Sequence, residues 1–355
     1  MKAFEHGGNV YDSAGQFSDW LDMSANINPM GLSEAVKSAI MNNIDGLIHY
    51  PDPAAKELKS AIAVRYQIAC KNIITLNGAA EFFYLFFNSI RPKRVLIVVP
   101  SFSEYERAAL AANCEVRYFY THVEENFDVD FGQLMKVVAD EKIDCVVLAN
   151  PNNPTGNLIS VDDVVKLLEM NIFIMVDESF IDFLGDDYSM RQLIQRSKNF
   201  IVVHSLTKFF AIPGLRLGFA IADEVIVERL ELSKDVWNVN YLAQKAGVAA
   251  LSDENYIDKT RSWLTREKIY VTERLSKLQK CFFGPTVNFV LIKLETEEIA
   301  NYIITGLKSQ GILVRSCANF RGLDGSYIRM AIRQREDNER VINLVQKFFS
   351  ECSRI

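Results

Sequence analysis

The sequence predicts an α/β protein, with a large domain built on a mostly parallel sheet and a smaller α+β domain at the C-terminus. Short β-branched segments recur along much of the 355-residue chain and alternate with stretches of helical spacing. This alternation is typical of a parallel sheet that is covered by helices on both faces. Beyond about residue 251 the alternation stops, which indicates a second folded unit.

The strands of the large domain are predicted from short runs that are apolar on both faces, as expected for strands buried on both sides. These runs cover residues 94–99, 143–149, 172–176, 200–204 and 217–221. Helical spacing marks segments between them, such as 104–112 and 161–170. Because ligands bind beyond the carboxyl ends of strands in open α/β sheets, polar residues at those ends are candidate site residues.

The C-terminal unit has a different pattern, in which one long charged helix comes first. Its predicted elements are a helix, a strand, a second helix and two further strands, at 259–279, 287–292, 296–309, 312–315 and 327–332. We expect a large domain over residues 41–250 and a small domain over 251–355. An N-terminal arm, residues 1–40, would pack on the small domain and the active site.

The composition excludes several classes of protein. With 49% apolar and 24% charged residues, the chain is neither disordered nor fibrous. A net charge of -6 has the wrong sign for a protein that coats nucleic acid or anionic lipid. No apolar stretch approaches the roughly 20 residues of a membrane helix, and the first residues do not form a secretion signal. The six cysteines lack paired or metal-binding spacing, so we expect a cytoplasmic protein with reduced thiols and no metal.

The first candidate for chemistry is Lys208, in the segment Ser205-Leu206-Thr207-Lys208 that follows a predicted strand. A partly desolvated amine at such a position can be neutral and can form a Schiff base with an aldehyde. Ser205, Thr207 and Arg216 are of the types that hold a phosphate group. Taken alone, the same residues would equally describe an ordinary charged loop.

Three further motifs lie at strand ends or at a helix start. Asp177 ends the 172–176 run, where a carboxylate could pair with a protonated pyridine nitrogen or simply cap a helix. Asn153 belongs to a loop that two Asn-Pro steps hold in a non-helical conformation. The segment Gly78-Ala79-Ala80 precedes an apolar helix and leaves backbone N–H groups free for an anion.

The order and spacing of these four motifs resemble those of the fold type I pyridoxal phosphate-dependent enzymes, the aspartate aminotransferase superfamily. The resemblance covers nearly the whole chain and implies pyridoxal 5'-phosphate as cofactor. It implies that Lys208 binds the cofactor covalently, that Asp177 pairs with its pyridine nitrogen and that Asn153 donates to its ring hydroxyl oxygen. The residues implied for the phosphate cup are Gly78, Ala79, Ala80, Ser205, Thr207 and Arg216.

The resemblance also assigns two aromatic roles. Either Tyr105 or Phe102 would stack on the cofactor ring, with a slight preference for Tyr105. Tyr50, in His49-Tyr50-Pro51, matches a family tyrosine that reaches the cofactor phosphate of the neighbouring subunit. A homodimer is therefore implied.

Within the superfamily, the chain resembles the histidinol-phosphate aminotransferase group through residues 24–31 and through Arg315 and Arg329. In that group the later arginine clamps the substrate α-carboxylate, and the earlier one helps to hold a distal group, here a phosphate. The implied substrate is a small phosphorylated amino acid, with Asn28 as a further ligand of its phosphate.

Two features favour decarboxylation over amino transfer. The segment His6-Gly7-Gly8-Asn9 resembles the N-terminus of L-threonine O-3-phosphate decarboxylases, where a glycine pair would let the arm bring His6 to the substrate phosphate. Phe180 stands where aminotransferases of the group usually place a tyrosine beside the ring hydroxyl oxygen. The resemblance thus implies decarboxylation of L-threonine O-3-phosphate to (R)-1-amino-2-propanol O-phosphate in cobalamin biosynthesis.

Three alternatives stay open from the sequence. The chain could be a histidinol-phosphate or related amino-acid aminotransferase. It could also be a non-catalytic protein of the same fold, although such regulators usually carry an added DNA-binding region. Serine phosphate could replace threonine phosphate, because one methyl group is worth only roughly 1–3 kcal/mol in a pocket. We expect the substrate and a second copy of the chain as partners, and neither nucleic acid nor a membrane.

Overall fold

The computed structural model describes residues 6–12, 14–277 and 281–352. The strands of this part of the chain form three sheets. In chain order they are β1 Leu21–Asp22, β2 Ile73–Leu76, β3 Arg94–Val99, β4 Glu115–Tyr120, β5 Cys145–Ala149, β6 Phe173–Asp177, β7 Phe200–Ser205, β8 Gly218–Ile221, β9 Cys281–Phe283, β10 Phe289–Lys293, β11 Ile312–Leu313, β12 Arg315–Ser316 and β13 Tyr327–Ala331.

The central sheet contains seven strands in the order β2-β8-β7-β6-β5-β3-β4. From β7 to β4 every neighbouring pair is parallel, and β8 alone runs antiparallel to both of its neighbours. The carboxyl ends of β7, β6 and β5 therefore lie next to one another at a single edge. The predicted α/β class with a mostly parallel sheet is confirmed.

Helices cover both faces of this sheet. The α-helices of the described chain are α1 Glu34–Asn43, α2 Lys56–Tyr66, α3 Ala79–Ile90, α4 Glu104–Ala111, α5 Phe131–Asp140, α6 Val161–Leu168, α7 Leu206–Phe209, α8 Glu224–Glu231, α9 Tyr241–Leu251, α10 Glu254–Ser276, α11 Glu297–Ser309 and α12 Arg335–Cys352. Because strand side chains alternate between faces, Ile97 and Val147 pack in one core with α3, while Leu96 and Val146 pack in the other with α5 and α6. The sheet edge that carries the polar loops is thereby held rigidly.

The C-terminal unit is built on an antiparallel sheet in the order β12-β13-β10-β9. Helices α11 and α12 pack against each other on it, and Ile303 and Val341 are among their buried residues. The N-terminal segment joins this unit, because β1 pairs in parallel with β11. The start of the chain is thus attached to its C-terminal part.

Most element boundaries differ from the sequence prediction by a few residues. Strands β2 and β4 were not predicted, since β2 has only four residues and β4 alternates charged with aromatic side chains. The helix predicted over 259–279 begins earlier, at Glu254, and its predicted end lies outside the described residues. Among the described residues, no helix combines the length and apolar character that a bilayer crossing requires.

Candidate active site

The loops that carry the predicted site residues leave the central sheet at the same edge. Ala149 at the end of β5 lies opposite Asp177 at the end of β6, which in turn lies opposite Val203 near the end of β7. The Asn-Pro loop after β5, the Asp177 carboxylate and the turn after β7 therefore meet around one pocket, which Lys208 also lines. Motifs that are far apart in the sequence come together there.

Lys208 lies in the short helix α7, for which Ser205 is the N-cap. Its Nζ donates a hydrogen bond to Ser205 Oγ at 3.1 Å and lies 5.9 Å from the ring centre of Phe180. Burial lowers the pKa of Lys208 to about 8; the Asp177 carboxylate opposes this shift and the Arg216 guanidinium adds to it. Near neutral pH a fraction of the amine is therefore uncharged, as attack on an aldehyde requires.

Asp177 is buried, and both of its carboxylate oxygens have partners. Oδ2 accepts a hydrogen bond from the Tyr105 hydroxyl at 2.6 Å, and Oδ1 accepts one from the Ser179 N–H at 2.8 Å. Tyr105 is held in the pocket wall by this bond and exposes only 2% of its surface. Phe102 lines both this pocket and the adjoining cavity. The geometry therefore favours Phe102 for stacking on a bound ring, against the slight preference for Tyr105 drawn from the sequence.

The residues predicted to bind a phosphate surround the start of α3. Gly78 has a φ of +87°, and a Cβ there would collide with the Arg216 guanidinium. The N–H groups of Ala79 and Ala80 are in the first turn of α3, where no intrahelical acceptor exists for them. A helix N-terminus beside a guanidinium is a suitable site for a phosphate group.

The opposite side of this cup carries two hydroxyls. Ser205 Oγ and Thr207 Oγ1 lie 2.8 Å apart, and Ser205 also holds the Lys208 amine. Ala79, Ala80, Ser205 and Arg216 line the same pocket as the Lys208 amine, and Thr207 lines the adjoining cavity, an arrangement that suits the phosphate and the aldehyde of pyridoxal phosphate. The residues present therefore fit this cofactor.

Arg329 and Arg315 lie directly opposite each other on β13 and β12. Arg329 donates from Nη1 to Asn153 Oδ1 and from Nη2 to the Ser24 carbonyl at 2.7 Å, while its Nε has no partner among the described residues. Burial lowers the pKa of Arg329 to about 10. Arg315 donates to Asn319 Oδ1 at 2.6 Å. Two adjacent guanidiniums at one cavity favour the binding of an anionic molecule.

The N-terminal arm lies against the cavity that both arginines line. His6, Gly7 and Gly8 line this cavity together with Lys208, and its volume is about 590 Å³. A Cβ on Gly7 would collide with the Ser24 carbonyl, and the Gly8 N–H donates to Ser24 Oγ at 2.8 Å. The glycine pair therefore permits the close backbone approach that places His6 at the cavity.

Asn28 is not among the residues that line this cavity, and its role as a ligand of the substrate phosphate stays a prediction. Its Nδ2 donates to the Phe209 carbonyl and to Thr260 Oγ1, both at 2.8 Å. Its backbone N–H donates to the Lys208 carbonyl at 3.0 Å. Because these bonds occupy the side chain, Asn28 anchors the turn that carries Lys208.

Asn26 is a candidate site residue that the sequence reasoning missed. It lines the cavity and is 5% exposed, yet neither Oδ1 nor Nδ2 has a partner among the described residues. An unsatisfied buried polar group costs roughly 1–3 kcal/mol, so we expect a bound ligand to satisfy this amide. Asn26 and Asn28 are two residues apart in the same segment. The path of the backbone places Asn26 at the cavity and Asn28 against Thr260.

Two other residues that the sequence analysis singled out differ in position, since Phe180 lines the pocket and Tyr50 does not. Tyr50 is 76% exposed and stacks on Trp237 with ring centres 4.1 Å apart. Phe180 packs edge-on against Phe289 and brings no hydroxyl towards Lys208. Tyr50 is thus available to a second molecule, and Phe180 leaves the pocket with one hydrogen-bond donor fewer than a tyrosine would.

Comparisons with known proteins agree with this geometry. The family model for aminotransferase class I and II matches residues 18–345. The threonine-phosphate decarboxylase of Salmonella typhimurium is 35% identical over 349 residues, which cover 95% of this chain and 94% of that protein. An adenosylcobalamin biosynthesis bifunctional protein from Leptospira interrogans is 33% identical over 98% of this chain and 41% of its own length. The solved histidinol-phosphate aminotransferase from Clostridium acetobutylicum superposes with a TM-score of 0.86 and 32% identity, covering 93% of this chain and 99% of that one.

Proposed function

This chain belongs to the class I and II aminotransferase family and is a pyridoxal phosphate-dependent enzyme, and on that premise we propose that it decarboxylates L-threonine O-3-phosphate. The products are CO2 and (R)-1-amino-2-propanol O-phosphate. The named activity of the Salmonella relative supports the reaction. The name of the Leptospira relative supports a place in cobalamin biosynthesis.

The observation that carries this proposal is the presence of two anion-binding groups in one cavity beside Lys208. Arg329 has an unused Nε donor and is the candidate for the α-carboxylate. Arg315, His6 and the unpartnered amide of Asn26 are candidates for the phosphate. An amino acid with an anion at each end would use all of these groups, whereas an unphosphorylated one would leave several of them without a partner.

Pyridoxal phosphate supplies an electron sink for the carbanion that forms at the substrate Cα when a bond there breaks. The protein supplies the proton that completes the reaction. We assign this role to the Lys208 ammonium, because the amine lies in the pocket and the pKa of about 8 makes it a donor near neutral pH. The residues that hold the carboxylate and the phosphate orient the substrate and so select the bond that breaks.

Histidinol-phosphate amino transfer is the second candidate, because the backbone superposes closely on an aminotransferase of that kind. The same cavity would then present the Cα–H bond to Lys208. Phe180 favours the decarboxylase, since it lacks the hydroxyl that this aminotransferase group usually places near the ring oxygen. The arm that carries His6 favours it too.

Incubation of the purified holoenzyme with O-phospho-L-threonine tests the proposal. We expect release of CO2 without any added keto acid, and formation of aminopropanol phosphate. A strict requirement for 2-oxoglutarate with formation of glutamate would show that the enzyme is an aminotransferase. The same assay with O-phospho-L-serine measures how far the substrate methyl group matters. We expect kcat/KM for O-phospho-L-threonine to exceed that for O-phospho-L-serine by roughly 10–200-fold.

We further propose that the enzyme is a cytoplasmic homodimer in which Tyr50 reaches the neighbouring subunit's site. Exposed apolar side chains near Tyr50 support the dimer; they are Met41, Ile44, Leu47 and Ile48. The cysteines described as free thiols, two of them buried in one core, fit a reducing compartment.

A further inference from the structure

A cluster around Glu104 holds the N-terminal arm at the cavity. Glu104 is buried in the first turn of α4, yet its carboxylate has a partner on each oxygen. Oε1 accepts a hydrogen bond from His6 Nε2 at 2.8 Å, and Oε2 accepts one from the Tyr84 hydroxyl at 2.9 Å. Arg107 Nη1 lies 3.5 Å from Oε1. Glu104 thus links the arm to two helices of the large domain.

The carboxylate is ionised in this setting. Burial alone would raise the pKa of Glu104, but the hydrogen bonds from His6 and Tyr84, together with the nearby positive charges, lower it below its ordinary value. Burying a carboxylate costs free energy unless the group is paired. The bond between Glu104 and His6 therefore stabilises both the buried carboxylate and the docked arm.

The arm is fixed at a second point by its glycine pair. The Gly8 N–H donates to Ser24 Oγ, and the Ser24 carbonyl accepts from Arg329 Nη2. Between these two attachments the His6 ring rests against Phe102, with ring centres 5.4 Å apart. The turn that contains Phe102 and Glu104 therefore contacts both the cofactor pocket and the arm.

The bond to Glu104 also determines the chemistry of the His6 ring. Because Oε1 of an ionised carboxylate only accepts, His6 Nε2 must carry the hydrogen. His6 Nδ1 has no partner among the described residues, and 41% of the side chain is exposed at the cavity. With a carboxylate at Nε2, a phosphate oxygen at Nδ1 is bound only by the imidazolium form, in which both nitrogens donate.

We propose that Glu104 is a positioning residue: it docks the N-terminal arm and orients His6 so that Nδ1 donates to the substrate phosphate. This inference rests on the proposed function, since it names the residue through which the arm recognises the phosphate. Glu104 itself touches neither substrate nor cofactor. Its effect is on substrate affinity and on the docking of the arm.

A double-mutant cycle with Glu104→Gln and His6→Ala tests the proposal in the holoenzyme. We expect each single variant to raise KM for O-phospho-L-threonine by about tenfold, as for loss of one charge-assisted hydrogen bond, with kcat changed by less than about twofold. The double variant should resemble His6→Ala within about twofold, because Glu104 acts through His6. Tyr84→Phe should raise KM less, since it leaves Glu104 charged and bonded to His6.

Glu115→Gln is the matched control. Glu115 is ion-paired on strand β4 with Arg94 at 3.1 Å, and it takes no part in the cavity. This variant should leave KM at the wild-type value. Two results would overturn the proposal. In one, the effects of Glu104→Gln and His6→Ala on KM multiply in the double variant. In the other, Glu104→Gln loses cofactor absorbance while KM is unchanged.

Hydrogen exchange of the arm peptide gives a readout that does not depend on turnover. In the holoenzyme without substrate, Glu104→Gln should speed exchange of the backbone amides around Gly8, whereas Glu115→Gln should not. Unchanged exchange would show that Glu104 does not dock the arm. If wild-type enzyme released no CO2 from O-phospho-L-threonine, the proposed function would fail, and the exchange measurement would still decide whether Glu104 docks the arm.

Discussion

Lys208 is reactive because burial disfavours its ammonium form. We predict that the rate at which the apoenzyme captures pyridoxal phosphate rises with pH around a midpoint near 8, because only the neutral amine attacks the aldehyde. The growth of visible absorbance after mixing, followed from pH 6 to 10, measures this. Lys208→Ala should show neither the absorbance nor turnover. A midpoint near the ordinary lysine value of 10.5 would contradict the effect of burial.

Asn26 and Asn28 provide a matched pair of substitutions to alanine. Asn26→Ala removes an amide with no partner among the described residues, so we predict a raised KM with an unchanged melting temperature. Asn28→Ala leaves the Phe209 carbonyl and Thr260 Oγ1 without a donor, so we predict a loss of about 1–3 kcal/mol in the free energy of unfolding. Steady-state kinetics and thermal denaturation separate the two. A raised KM for Asn28→Ala together with a lowered melting temperature for Asn26→Ala would show that Asn28 is the ligand.

At the scale of elements, the phosphate cup depends on how closely α3 approaches β8. A Cβ on Gly218 would lie 2.5 Å from the Ala79 N and 2.9 Å from the His204 carbonyl, so Gly218→Ala must push the start of α3 away. We predict a weaker affinity for pyridoxal phosphate, by at least about tenfold, measured by titration of the apoenzyme. Gly214→Ala is the control, because nothing lies within 4 Å of its Cβ position. Equal affinities in the two variants would show that the spacing between α3 and β8 does not affect cofactor binding.

The strands that carry the site could be predicted because they are buried on both faces. The runs of β3, β5, β6 and β7 are largely apolar segments, and polar site residues lie at or shortly after the ends of β5, β6 and β7. Edge strand β4 escaped prediction because one of its faces meets solvent and it carries Glu115 and Arg117. The antiparallel direction of β8 depends on tertiary pairing, which local pattern does not encode.

Within the site, residues that belong to local motifs were easier to assign than residues that depend on backbone path. Lys208 and Asp177 lie in the pocket because Asp177 ends strand β6 and Lys208 comes three residues after the end of β7. The sequence named Asn28 alone and left the stacking ring open between Tyr105 and Phe102. Assigning these residues requires knowledge of which side chains have their polar atoms occupied. Glu104 gave no signal in the sequence, since its role depends on a contact between residues 98 positions apart.

For the whole molecule, the net charge of -6 describes the outer surface and not the site. The cavity is lined by Lys208, Arg216, Arg315 and Arg329 and also by the Asp22 carboxylate, while the other acidic residues are spread over helices and loops. A cationic cavity in an acidic protein concentrates small anions locally without attracting nucleic acid.

The last prediction concerns assembly. Ile48 and Met41 are 83% and 74% exposed and lie close in sequence to Tyr50, a degree of apolar exposure that favours burial against a second subunit. The double variant Met41→Asp/Ile48→Asp should therefore shift the mass measured by light scattering from about twice 40.3 kDa to the monomer value. It should also weaken cofactor binding, because Tyr50 would no longer reach the neighbouring phosphate. Ile269→Asp, at an exposed apolar position on α10, is the control and should remain dimeric. A wild-type enzyme that is monomeric with full activity would refute both the dimer and the role of Tyr50.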